Sequence, residues 1–520
     1  MGISASQDSS ISRNALNRNM ESGFRAVDFA DGKMRMLRGS IKGKWDPMQF
    51  FSRQQSHDLF ARTIEKIAAT SETASSRKRA NAAGAAAVPF SPGPLCQQEL
   101  VLSSETLAAV SRAEIAIARF DTSLNGSCLL DSLRQGLARI EGVSTIRTMG
   151  VKPSYRMCCI LEFASWECGG VAAFSPAAAG MANTLAKCPP DVLEATIAAA
   201  QIKDCVIDIL DGSFGEGPVS ASDLLDINRR ITLGTPWEAE AGLRAVDYRT
   251  LKEVRQSAVD LDLYVPTPPK RLPRLLNDLV SFCNSDRHSV VVRSALAHFQ
   301  MEAIKAFEAE SDQTGRLLAV LIWRKQGLVR NVMPPFSITP AMATNRHVMK
   351  LEPYLATSTF RTDKAMLAMD EWVFHSVRAC ELAESVSRFC CAELARVYNN
   401  WLTRLEGAGK HATKNLRQAM LALLGMPVVS VGMVSSVTGC SFSTASSMVA
   451  VLEQAGILRR VKSGERNKVY EAKDAVDLFT KVERAFFPAV PLSRDEALKR
   501  YVQNPYDGFP KTERPNGLCL

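Results

Sequence analysis

The 520-residue sequence has no run of about 18 apolar residues free of polar breaks, so no segment reads as a membrane-spanning helix. The richest small-residue stretch, Gly169 to Ala186, is interrupted by Ser175-Pro176 and Asn183. No C-x-x-C pair occurs among the thirteen cysteines, and their scatter argues against a zinc site or a disulfide frame. Histidine is scarce, and His288, His347, His375 and His411 show no metal-ligand spacing, so no metal site is expected. The opening residues carry no secretory h-region, and reduced thiols point to a cytoplasmic protein. Met1-Gly2-Ile3-Ser4-Ala5-Ser6 fits the myristoylation pattern, but that pattern is short and chance is the favoured explanation. No internal repeat is present.

Hydrophobic content of 46% and charged content of 22% are those of a globular chain long enough for several domains. The net charge of +9 is modest for this length; it admits a nucleic-acid partner without requiring one. Residues 1–95 are expected to be a poorly ordered extension and linker. They hold one helix candidate, Pro47 to Ala69, followed by a Ser71–Pro94 stretch too rich in Ala, Gly, Pro and charge to bury a core. Helical periodicity dominates the rest: LAAVSRAEIAIARFD, CLLDSLRQGLARIEG, Pro190 to Leu210, Ser220 to Ile231, Lys270 to Cys283, Ser289 to Phe307 and 365–405. Two short extended candidates, around Leu251–Val254 and Leu261–Val265, end at Pro266-Thr267-Pro268-Pro269 and suggest a hairpin. From Leu416 to about Phe479 the order is helix, helix, turn, helix, strand, turn, strand, with Gly456 at a helix C-cap position. That is the pattern of a winged helix-turn-helix.

The most informative stretch is His298 to Arg316, HFQMEAIKAFEAESDQTGR, set between the apolar runs 290–297 and 317–323. A helix, a polar loop and a second helix is a common construction for an anion or nucleotide site, because helix N-termini offer free N–H groups. This stretch resembles the signature of the Fic (Fido) family, His-Pro-Phe-x-(Asp/Glu)-Gly-Asn-Gly-Arg-x-x-Arg. Other segments resemble the family in the expected order. These are LAHFQMEAI before the signature, LDLYVPTPP at Leu261–Pro269, Pro218-Val219-Ser220 with LLDINRRI, Ala116 to Asp121, and Arg139-Ile140-Glu141-Gly142. The resemblance spans roughly 100 to 480. It implies a mainly α fold: a Fic N-terminal helical, inhibitory region over 96–235, a Fic core with a β-hairpin flap over 236–410, the winged helix over 411–480, and a tail over 481–520.

Family members transfer AMP from ATP, with Mg²⁺, to a protein hydroxyl, and the resemblance brings in ATP, Mg²⁺, a protein target and a homodimer on that ground alone. The general-base histidine falls at Lys305, where a neutral amine at pH 7 would need its pKa lowered by ~3 units, ~4 kcal/mol of desolvation. The acids Glu302, Glu308 and Glu310 oppose that shift. The metal-binding carboxylate falls at Ala309, the Gly-Asn-Gly nest at Glu310-Ser311-Asp312, and the first arginine at Gln313. Phe307, Gly315 and the second arginine, Arg316, remain. Arg316, Gly315 and Ser311 are therefore the candidate nucleotide contacts, with Lys305 at the catalytic position. The family's inhibitory motif ends in Glu-Gly, matched by Glu141-Gly142, and implies a Glu141–Arg316 pair, although Leu137 stands where the motif has Ser or Thr. His298 reads as a packed histidine rather than a displaced base.

Three functions fit this pattern. One is a Fic-type protein without the usual transfer reaction, kept as a binding or regulatory module. Another is an altered nucleotidyl or phosphoryl transferase in which Lys305 or Arg316 holds phosphate and Glu308, Glu310 and Asp312 collect a metal. The third is a DNA-binding regulator for which the central fold is a dimerisation frame. Within the winged-helix segment, Ser443, Thr444, Ser446 and Ser447 open the recognition helix, and Arg459, Arg460, Lys462, Arg466 and Lys468 make the wing basic.

Overall fold

The computed structural model describes residues 92–97, 100–168, 188–245, 266–342, 363–461 and 468–487, together with the backbone of 27–30 and 33–36. The Pro47–Ala69 helix candidate, the two extended candidates and the myristoylation-like start lie outside these residues. Within the polar N-terminal stretch, β1 (Val27–Ala30) pairs antiparallel with β2 (Lys33–Met36), which the sequence pattern had not indicated.

The remainder is mainly helical. It runs α1 (Ser104–Ser123), α2 (Leu130–Arg147), α3 (Tyr155–Cys168), α4 (Pro190–Leu210) and α5 (Ala221–Thr232). Then come α6 (Leu272–Cys283), α7 (Val290–Ile304), α8 (Ser311–Lys325), the short α9 (Ile338–Met342) and α10 (Asp363–Gly407). Helix α5 begins as its sequence suggests: the Ser220 hydroxyl accepts from the Asp223 N–H while the Asp223 carboxylate accepts from the Ser220 N–H. Helix α10, 45 residues or about 68 Å long, is the axis of the protein. Its first half, Met369 to Ala383, packs into a core shared with α4, α6, α7 and α8. Its second half, Val386 to Leu405, packs into another, shared with α2, α3 and the C-terminal unit.

That C-terminal unit comprises α11 (Lys414–Gly425), β3 (Val428–Val429), α12 (Val431–Thr438), α13 (Phe442–Gln454), β4 (Arg459–Arg460), β5 (Tyr470–Glu471) and α14 (Lys473–Phe486). The strands form one antiparallel sheet in the order β3-β5-β4. Gly439 and Gly456, both in the left-handed region, close α12 and follow α13, as expected of helix C-termini. Helix α3, strand β3 and the extension of the unit to Phe486 went unread in the sequence.

The unit is docked against the N-terminal helices by specific contacts. The Tyr155 and Phe479 rings stack at 4.8 Å. The wholly buried Arg139 holds Glu162 with two N–H groups, donates to Tyr155 Oη at 2.6 Å and reaches the Gly425 carbonyl at 3.1 Å. Arg147 of α2 pairs with Glu483 of α14.

Candidate functional site

The signature-like stretch folds as α7, a six-residue loop and α8, and every residue from Val291 to Trp323 except Glu308 is buried. Among the described residues only two non-glycine positions have a left-handed backbone, Lys305 (φ +47°) and Glu310 (φ +56°). They are the two hinges of the loop. Such conformations cost a side-chain-bearing residue about 1–2 kcal/mol and persist where the surroundings impose them. The Fic signature that this stretch resembles carries glycine at 310, where this chain has a glutamate.

Three long-range anchors impose that shape. The chain at 242–244 pairs with 306–308: the Arg244 N–H donates to the Ala306 carbonyl at 2.9 Å, the Glu308 N–H donates to the Gly242 carbonyl at 3.2 Å, and Leu243 and Phe307 form an antiparallel bridge. The Arg244 guanidinium, 3% exposed, donates to the carbonyls of Lys305 (2.8 Å), Ile304 (3.3 Å) and Thr267. It thus satisfies the orphan carbonyls at the α7 C-terminus, where a cation also suits the helix dipole. Asn228 of α5 donates to the Ala309 carbonyl at 2.9 Å and to Thr314 Oγ1 at 3.1 Å, and accepts from the Gly242 N–H at 3.0 Å. None of these anchors shows in a local pattern, because the partners lie 14 to 86 residues apart.

The charged groups are turned inward. Lys305 Nζ forms an ion pair with Asp312 Oδ1, both side chains at most a tenth exposed. Burial, with the Asp312 charge adding to it, pushes the Glu302 carboxyl up to about 7 and that of Glu310 to about 8; Lys305 and Arg316 oppose the rise at Glu302. Glu310 Oε1 is buried without a hydrogen-bond partner. His298 is held well below its usual range by burial, then by Arg316 and Lys305. Its ring lies 5.8 Å from Trp372 and its Nε2 3.6 Å from Glu302 Oε2, so it is the packed, neutral histidine expected.

Glu141 and Arg316 come together, but not as the direct ion pair the resemblance implied. Ser337 stands between them: Arg316 Nη1 donates to Ser337 Oγ at 3.4 Å, and Ser337 Oγ donates to Glu141 Oε1 at 2.6 Å. The Ser337 N–H adds a bond to Glu141 Oε2 at 3.0 Å, and Thr145 Oγ1 another to Oε1 at 3.4 Å. Full burial raises the Glu141 carboxyl; the Ser337 bonds and the Arg316 charge oppose that rise. A side chain 196 residues from Glu141 intercepts the pair, which no sequence spacing would reveal.

The other site candidates serve packing. A Cβ on Gly142 would lie 2.2 Å from the Ala199 carbonyl oxygen, so this glycine lets α2 touch α4. A Cβ on Gly315 would lie 3.0 Å from Met301 Cβ, at the crossing of α7 and α8. Ser311 Oγ accepts the Phe307 N–H at 3.3 Å. In the C-terminal unit Ser443, Thr444 and Ser447 are exposed on the first turns of α13, and Lys468 is exposed. Arg459 is not free as the sequence suggested: it pairs with the buried Glu471, which also holds Arg156. Arg460 lies 3.8 Å from Glu453 and over the Tyr470 ring. Lys462 and Arg466 fall outside the described residues.

The loop geometry coincides with a match to known proteins: residues 218–323 fit the model of the Fic/DOC family. That stretch is therefore similar to the Fic/DOC family domain. Among curated proteins it is 26% identical over 119 residues to the protein adenylyltransferases fic-1 of Caenorhabditis elegans and Caenorhabditis briggsae. The match takes in 22% of this chain and spans about a fifth, 21%, of either relative's length. Among solved structures, a Fic family protein from Desulfovibrio desulfuricans G20 overlays on 72% of this chain and 98% of its own, with TM-score 0.36 and 15% identity. Fic-1 (residues 134–508) from C. elegans overlays on 54% of this chain and 74% of its own, with TM-score 0.33 and 16% identity. The Fic/DOC match takes in α5 to α7 and α8 as far as Trp323, the elements that hold the loop.

Proposed function

We propose that this Fic-type domain has given up AMP transfer and acts as a binding or regulatory module joined to a C-terminal winged helix. The observation that carries the reading is the Lys305–Asp312 ion pair, which fills the position of the family's base and the mouth of its anion nest with the protein's own charges. A lysine held by a buried carboxylate cannot accept a proton from a target hydroxyl. At the metal position Ala309 has only a methyl group, and its carbonyl is already engaged by Asn228. Glu310 and Asp312 place carboxyls where phosphates would sit. The residues do not fit an ATP–Mg²⁺ complex.

The regulatory part of the proposal rests on α2. One face of this helix holds Glu141 and Thr145 against Ser337 and, through it, Arg316. Another face holds the C-terminal unit: the Ser132 hydroxyl bonds the Leu421 carbonyl at 2.7 Å, Arg139 bonds Gly425, and Gly136 is backed by the Phe479 ring. A displacement of that unit therefore acts on the helix that reaches Arg316 through Ser337.

The order of helices and strands in that unit, with exposed hydroxyls opening α13, favours a winged helix and a DNA-backbone partner as a second reading. Arg460 and Lys468 replace Arg459 as the leading phosphate contacts, because Arg459 is committed to Glu471. Incubation of the full chain with α-labelled ATP and Mg²⁺ or Mn²⁺ tests the main reading. No label on the protein or on added lysate proteins is expected; label that Lys305→Ala removes overturns it. A duplex-DNA shift at low salt, lost in Arg460→Ala/Lys468→Ala, is the expected result for the second reading, and its absence contradicts that reading.

A further inference from the structure

Among the described residues, Lys305–Asp312 is the one lysine–carboxylate pair with both side chains at most a tenth exposed, 5% and 10%. The two residues sit at opposite ends of the loop, Lys305 at the left-handed hinge after α7 and Asp312 in the first turn of α8. The Arg244 and Asn228 anchors fix those ends, so Lys305 Nζ and the Asp312 carboxylate are held against each other in one arrangement. A third group shares the enclosure. Glu302, one turn before Lys305 on α7 and 5% exposed, responds to both partners. Burial and the Asp312 charge push its carboxyl up to about 7, while Lys305 and Arg316 draw it down. His298, 3.6 Å from Glu302, is held neutral by its own burial.

We propose that Lys305 and Asp312 condense within the folded chain, so that an isopeptide bond between Lys305 Nζ and Asp312 Cγ replaces the ion pair. A buried ammonium and carboxylate lack the water that would stabilise their charges, and an amide removes both charges together. The Lys305 ammonium gives a proton to Glu302, Nζ adds to Asp312 Cγ, and one Cγ–O bond breaks. The departing oxygen leaves as water with two protons that began on the ammonium, one of them returned by Glu302; the third stays on the amide nitrogen. Nothing is oxidised or reduced, and no co-reactant is needed. A carboxyl that titrates near neutrality suits this relay, because it both takes and returns a proton. Burial of every loop residue except Glu308 limits the water that could reverse the step. The bond goes beyond the loss of AMP transfer proposed above: a chain without the bond can still lack that activity, and the two are measured separately.

Peptide mapping of the folded full chain by mass spectrometry tests the proposal. Trypsin has sites after Arg293, Lys305 and Arg316. The expected product is a single peptide, Ser294 to Arg316, uncut at Lys305, lighter by one water and without backbone fragments from between Lys305 and Asp312. Asp312→Asn should give the same joined peptide lighter than its own sequence mass by one ammonia, a signature that misfolding would not produce. Lys305→Arg keeps the charge and should show no loss, and Glu302→Gln should slow bond formation about a hundredfold. Separate Ser294–Lys305 and Ala306–Arg316 peptides at full mass, after days at neutral pH, overturn the proposal, as does a water loss that survives Lys305→Arg. Bond formation at the wild-type rate in Glu302→Gln overturns the relay.

Discussion

Replacing Glu310 with glycine should stabilise this protein, and by an amount that grows with pH. Two costs are removed. The first is the left-handed backbone at φ +56°, worth about 1 kcal/mol for a residue with a side chain. The second is the buried carboxyl, which burial pushes up to about 8 from an ordinary value of 4.5. A carboxyl raised on folding leaves stability intact below its unfolded pKa and removes it as pH climbs towards the folded value. Between those values the native state binds more protons than the unfolded chain, so unfolding free energy falls with pH. From the shift, the carboxyl costs on the order of 1 kcal/mol at about pH 5 and on the order of 4 kcal/mol at about pH 8. With the backbone term, Glu310→Gly should gain roughly 2 kcal/mol at the lower pH and roughly 5 at the higher. Urea denaturation of wild type and variant at the two pH values, followed by circular dichroism, gives the difference. A variant that is neutral or destabilised, or whose gain is the same at both pH values, refutes the reasoning.

Lys305→Met strands Asp312 as an uncompensated buried charge and should cost about 3–5 kcal/mol in urea denaturation, whereas Lys305→Met/Asp312→Leu should recover most of it. An equal loss in the double variant would show that the ion pair is not what matters there. Gly142→Ala puts a Cβ 2.2 Å from the Ala199 carbonyl, so α2 and α4 must separate; a drop of about 2 kcal/mol is expected in the same assay, and an unchanged midpoint would contradict the close contact. Arg244→Met leaves carbonyls of Ile304, Lys305 and Thr267 without this donor. Amide exchange over 304–308 should speed up at least tenfold, and unaltered protection would show that the loop does not depend on that guanidinium.

Much of the helical scaffold was legible in the sequence, because helices exposed on one side keep a 3.6-residue rhythm. Helix α10, read as 365–405, runs Asp363–Gly407, and α5 starts at the Ser220 capping box. Helix α3 was missed for the converse reason: YRMCCILEFASW is apolar almost all round, being packed against α4, β3 and α14, and shows no polar face to set a period. Of the site, the helix–loop–helix was readable. Its partners were not. Arg244, Asn228 and Ser337 act across 14 to 196 residues, and Ser337 alone converts the expected Glu141–Arg316 ion pair into a hydroxyl relay. The docking of the C-terminal unit on α2 was equally hidden, since Gly136 and Gly425 reveal their purpose only against Phe479 and Ser132.

The most direct test of the central claim is a calorimetric titration of ATP with Mg²⁺ into the full chain. The ion pair at Lys305 and the carboxyls of Glu310 and Asp312 predict no heat of binding up to about 1 mM nucleotide. Saturable binding that Arg316→Ala abolishes would mean that the nest still accepts a triphosphate, and the account would be wrong.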